Sequence, residues 1–103
     1  MDAPDLADGA PAESPTPIVL QIVNRKGLHA RASAKFVQTV ERFDAVVTVT
    51  RAGETVGGRS IMGLLTLGAA QGTTITVAAE GPQAAESLAA LTELLADRFG
   101  EDE

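Results

Sequence analysis

The spacing of hydrophobic positions changes several times along the chain, and each change marks an element. In Ile18-Val19-Leu20-Gln21-Ile22-Val23 one face carries Ile18, Leu20 and Ile22, the two-residue period of a half-buried strand rich in β-branched residues. Asn24-Arg25-Lys26-Gly27 breaks that pattern. From Leu28 the period is helical: Leu28, Ala32, Phe36 and Val40 follow at i+4 steps, with Val37 and Phe43 beside them. Alternation returns over 45–50, with Ala45, Val47 and Val49 on one side, and Arg51-Ala52-Gly53-Glu54 predicts a turn into a short strand around Thr55 and Val56. Ser60 and Gly68 frame an apolar run, predicting a Ser-capped helix of about two turns with a Gly stop. Residues 74–79 alternate again, with Ile75, Val77 and Ala79 on one face. A last helix is predicted to open at Gly81-Pro82, to bury Leu88, Leu91, Leu95 and Phe99, and to end at Gly100.

The predicted order is β-α-β-β-α-β-α. Strands with one apolar and one polar face suit an antiparallel sheet covered on a single side. Three helices with apolar stripes supply that cover, so the expected fold is an α+β open-faced sandwich with a four-stranded antiparallel sheet. The folded domain is expected over 18–100. Residues 1–17 hold Pro4, Pro11, Pro15 and Pro17 among small and acidic residues without apolar period, and read as a disordered leader; 101–103 read as an acidic tail.

Composition narrows the chemistry. The chain has 103 residues, no Cys and one His, which leaves room for one domain and excludes a thiolate site or a disulfide framework. No metal and no cofactor are expected. No apolar run approaches the roughly 20 residues of a membrane span, and the acidic start lacks a signal-peptide pattern; a cytoplasmic location is expected. The net charge of −6 is uneven, because the leader and tail are wholly acidic. Seven of the eight bases (Arg25, Lys26, Arg31, Lys35, Arg42, Arg51 and Arg59) fall in the first half of the folded part. That clustering fits either an anionic partner or an ordinary solvated surface. Nucleic acid is not expected, since only three Phe are available for stacking and all sit at helix-core spacing.

Gly27-Leu28-His29-Ala30-Arg31 is the stretch with chemistry in it. His29 stands where a Gly-bearing loop enters a helix, and the free N–H groups of a first turn favour negative charge there. A neutral imidazole attacking a phosphoryl group would leave the anion at that helix end, where Arg31 adds charge-assisted hydrogen bonds. The same features also describe an ordinary polar residue at the start of a helix. A second stretch, Gly53-Glu54-Thr55-Val56-Gly57-Gly58-Arg59-Ser60, is one substitution from a P-loop. It lacks the Lys and the flanking buried strand, and reads as coincidence.

With Ser60-Ile61-Met62-Gly63-Leu64 downstream of Gly27-Leu28-His29-Ala30-Arg31, the chain resembles HPr, the histidine-containing phosphocarrier family of the bacterial sugar phosphotransferase system, over about Ile18 to Phe99. The resemblance implies that His29 accepts a phosphoryl group from enzyme I through Nδ1 and passes it to enzyme IIA domains, with Arg31 stabilising the phosphate. It implies that Ser60 is a regulatory site for an HPr kinase where one exists, and that Leu28, Ile61, Met62 and Leu65 belong to a partner-binding patch. It implies a relay protein, not an enzyme, and a monomer is expected. Two other readings remain beside it: a regulatory carrier of the nitrogen-related branch, and a small hydrolase using His29 as base. The hydrolase needs a nucleophile, for which Ser33 is the near candidate, and an orienting carboxylate, and no acid occurs between Asn24 and Val40. The chain departs from the family pattern in carrying Ala32-Ser33 where Pro-Ala is usual, Lys26 where a small polar residue is common, and the leader.

Overall fold

The structure is a computed structural model that describes residues 15–103, so most of the expected leader lies outside the described residues. Four strands, β1 (Ile18–Gln21), β2 (Val46–Arg51), β3 (Glu54–Gly57) and β4 (Thr74–Glu80), form one antiparallel sheet in the order β1-β4-β2-β3. Helices α1 (Ala30–Val40), α2 (Ile61–Thr66) and α3 (Ala84–Ala96) complete the β-α-β-β-α-β-α order and the expected open-faced sandwich.

The register explains the two faces. Ile18 pairs with Val77, Val77 with Val49, and Val49 with Val56, so one apolar row crosses all four strands toward the helices. The next row is Val19, Thr76, Thr50 and Thr55, and there the Thr50 and Thr55 hydroxyls meet at 2.7 Å. Val19 is 65% exposed on that uncovered side, as a period of two requires. Phe36, Val40, Leu64, Leu91 and Phe99 pack over the apolar row as the centre of the core. Truncating either buried Phe removes a contribution of about 3–5 kcal/mol.

Two expectations about the last helix are corrected. It begins at Ala84, not at Pro82, because Gln83 is tied to the start of β2: its N–H donates to Asp44 O at 3.0 Å, and its Oε1 accepts from Asp44 N–H at 2.7 Å. Those two bonds hold 81–83 as a turn. The helix also ends at Ala96, before Phe99. Phe99 is buried, as expected, but in a separate turn at Arg98–Gly100, where Arg98 and Phe99 both have φ of 55°. Left-handed backbone costs a non-glycine residue roughly 1–2 kcal/mol. Burial of the Phe99 ring and a 2.6 Å hydrogen bond from Lys35 Nζ to Phe99 O offset it. The result is a reversal that sends residues 101–103 back across the start of α1.

The near P-loop is also accounted for. Its residues 54–57 are strand β3, with no cradle of successive N–H groups before a long helix. Among the described residues, no helix is long and apolar enough to cross a membrane.

Candidate functional site

The loop before α1 is shaped by Gly27. Its φ is +70°, and a Cβ there would lie 2.6 Å from Ala69 O, so only glycine fits the approach. Leu28 N–H donates to that same oxygen at 2.9 Å, which clamps the loop to the chain after α2. Buried Asn24 spans the loop from within, donating Nδ2 to Gly27 O at 2.8 Å. The chain then enters α1 with His29 as the N-cap residue, extended and with no side-chain cap hydrogen bond. The imidazole is thus free for other contacts, and the first-turn N–H groups keep no partner within the helix.

That contact is Glu101, from the reversed tail. His29 Nε2 and Glu101 Oε2 are 2.5 Å apart, with the side chains 26% and 14% exposed. Asn24 Nδ2 reaches the other carboxylate oxygen, Oε1, at 3.0 Å. Burial pushes the Glu101 carboxyl up, but hydrogen bonds from His29 and Asn24 and the charges of His29 and Lys26 together hold it below its ordinary 4.5. Beside the pair is a cleft of about 420 Å³ lined by Arg25, Lys26, Arg31, Lys35 and residues 100–103. Four of the seven clustered bases therefore converge at one place. Arg25 is bound to Glu103 through its guanidinium at 2.7 Å and through its backbone N–H to Glu103 O, whereas Arg31 makes no side-chain hydrogen bond among the described residues and stays exposed. Lys26 is exposed and also lines this cleft.

Ser60 caps α2 as expected, its Oγ accepting from Gly63 N–H at 2.9 Å. Ile61 and Met62 beside it are 39% and 72% exposed, and Leu65 is half-buried. Leu28 departs from the expected docking group: it is 5% exposed, taken into the core by the clamp on Ala69. The hydrolase reading loses its nucleophile, because Ser33 is fully buried and its hydroxyl donates to Leu28 O at 3.3 Å. Ala32 is likewise fully buried in the first turn, and α1 forms without the proline usual there.

The family model described as the PTS HPr component phosphorylation site matches residues 18–97. The chain belongs to the HPr family. It is 49% identical over 84 residues to a phosphocarrier protein HPr of Neisseria meningitidis, covering 82% of this chain and 94% of that one. It is 46% identical over 82 residues to that of Cupriavidus necator, covering 80% and 92%. The crystal structure of HPr-C-His from Thermoanaerobacter tengcongensis superposes with a TM-score of 0.81 at 38% identity, covering 85% of this chain and 99% of that one. As a member of the HPr family, this chain is similar throughout its folded part to phosphocarrier proteins of the phosphotransferase system.

Sequence reasoning missed Glu101, Asn24 and Lys35 as parts of the site. Glu101 was expected in a tail outside the domain. A contact between residues 72 apart in the chain leaves no local period to read. The nearest signal is Phe99-Gly100, an anchor followed by a residue suited to a turn.

Proposed function

We propose that this HPr-family chain is a cytoplasmic relay that takes a phosphoryl group from enzyme I onto His29 and hands it to enzyme IIA domains. The observation that carries the reading is the position of the chain's sole imidazole. His29 is partly exposed, at a helix start whose capping residue leaves the N–H groups free, beside a cleft with four cationic side chains. The open cleft also carries Glu101, Asp102 and Glu103, so the positive charge left for a phosphoryl group on the ring is chiefly that of Arg31 and Lys26, and the openness suits an acceptor approached by large proteins. Arg31 is the phosphate stabiliser in this reading, as the one cleft arginine not already bound to a carboxylate. In this reading the carrier works as a monomer.

Ser60 is the regulatory site in the same reading, modified by an ATP-dependent HPr kinase in cells that have one. Its exposed hydroxyl and the neighbouring exposed Ile61 and Met62 support this, with Leu65 at the margin of the docking patch. The test is incubation with enzyme I and labelled phosphoenolpyruvate. An acid-labile, base-stable label on the wild-type protein and none on His29→Ala is the expected result. Label on His29→Ala sinks the reading.

A further inference from the structure

The hydrogen bond between His29 and Glu101 has a direction set by chemistry. An ionised carboxylate accepts only, and the Glu101 carboxyl is ionised at neutral pH because it is held below its ordinary value. The proton between them therefore belongs to His29 Nε2, and the neutral ring carries its lone pair on Nδ1. We propose that Glu101 is a positioning residue for phosphoryl transfer, holding the His29 ring and its Nε2 proton so that Nδ1 is the nitrogen presented to phosphorus. This rests on His29 being the acceptor.

The placement of Glu101 is built, not incidental. Its second oxygen is held by Asn24, which is fully buried and also bound to the loop carbonyl of Gly27. Its backbone is delivered by the left-handed pair Arg98 and Phe99, a conformation unfavourable for both and kept by the buried Phe99 ring and Lys35. The carboxylate is thus fixed from both sides, as an orienting group must be.

In the transfer itself, the Nδ1 lone pair forms the new N–P bond while the donor's bond to phosphorus breaks and its electron pair leaves with the donor. The proton stays on Nε2, so the ring becomes a cation, and the Glu101 carboxylate faces that charge as it develops. On the onward step the new acceptor attacks phosphorus, the N–P bond breaks, and the pair returns to Nδ1. Because Nε2 still holds its proton, the ring departs as neutral imidazole and not as the far more basic imidazolate. One carboxylate serves both directions of the relay.

The single His makes the test direct. On full-length, ¹⁵N-labelled, unphosphorylated protein, NMR should show a protonated Nε2 whose hydrogen is protected from exchange with water. Glu101→Ala should lose that protection, and Glu101→Gln should keep part of it, because the carboxamide oxygen still accepts. Glu101→Ala should also lower the maximal rate of phosphoryl uptake roughly ten-fold, about 1.4 kcal/mol, with little change in the donor concentration at half-maximal rate. Glu101→Gln should fall between. An equally protected Nε2 hydrogen in Glu101→Ala, or an unchanged uptake rate with label still confined to His29, overturns this proposal alone. Label on His29→Ala overturns the acceptor reading, and this proposal with it.

Discussion

Two helices in this protein start in opposite ways. At α2, Ser60 turns its hydroxyl onto Gly63 N–H and satisfies the end of its own helix. The fit is close, since a Cβ on Gly63 would lie 3.0 Å from both the Ser60 hydroxyl and Val56 Cβ. At α1, His29 occupies the same cap position but makes no cap hydrogen bond and points its ring at a residue far along the chain. A cap that closes on itself stabilises a helix by about 1 kcal/mol. A cap that does not leaves the N–H groups to an outside anion. The charges follow the same division: four cationic side chains gather by α1, while apolar Ile61 and Met62 stand exposed at α2. In the proposed relay, one helix start is arranged for a charge that comes and goes, the other for a surface that docks.

The largest expected effect breaks the α1 side. His29→Ala abolishes labelling from phosphoenolpyruvate and costs about 1 kcal/mol of stability, because the mostly buried Glu101 carboxylate loses one hydrogen-bond partner and keeps Asn24 as the other. Urea unfolding and labelling of the same sample check both halves. Arg31→Ala is next. Loss of a charge-assisted bond of about 1.5–3 kcal/mol to the phosphoryl group should slow transfer roughly ten- to hundred-fold with His29 still labelled. Arg31→Lys should recover part of it, keeping the charge and losing the planar fork. Equal rates for Arg31→Ala and wild type would remove Arg31 from the site.

Much of this comparison was legible in the sequence, for reasons that differ between the two helices. Ser60 and Gly68 bracket a helix of about two turns, so local spacing alone is enough to place the cap and the stop. The strand faces were legible for the same reason, a period of two with no exceptions at Ile75, Val77 and Ala79. At α1 the sequence reveals the proposed acceptor, His29, but not its surroundings. Leu28 was grouped with exposed docking residues, whereas the hydrogen bond of its N–H to Ala69 O carries it inward. Glu101 was grouped with a loose tail, whereas two left-handed residues and one buried ring bring it back to His29. Both misses are tertiary: a clamp and a reversal that local pattern does not encode.

The α2 side is sharpened by two substitutions at one atom. Ser60→Ala leaves Gly63 N–H without its acceptor and should cost about 1 kcal/mol (range 0.5–2) in urea unfolding, with transfer unaffected. Ser60→Asp should keep the fold, because a carboxylate also accepts at a helix start and is favoured by the dipole. It should nonetheless slow phosphorylation of His29 several-fold at low enzyme I concentration, since it sets a negative charge beside Ile61 and Met62. Circular dichroism equal to wild type with an unchanged transfer rate would separate α2 from docking altogether.

The smallest effect concerns pH and tests whether the tail belongs to the folded unit. The Glu101 carboxyl lies below its ordinary 4.5 in the folded protein, so the unfolded chain binds this proton more tightly than the native state does. By linkage, the contribution is fully present above about pH 4.5 and is lost as pH falls through the lower folded value. Stability measured by urea from pH 6 downward should therefore fall more steeply below pH 4.5 for wild type than for Glu101→Gln, which has no proton to gain. The difference between the two should shrink toward the acid end, where the wild-type side chain is also neutral. Curves that run parallel from pH 6 to pH 3 would mean that Glu101 makes no folded-state contact in solution, and the His29 ring would then be oriented by α1 alone.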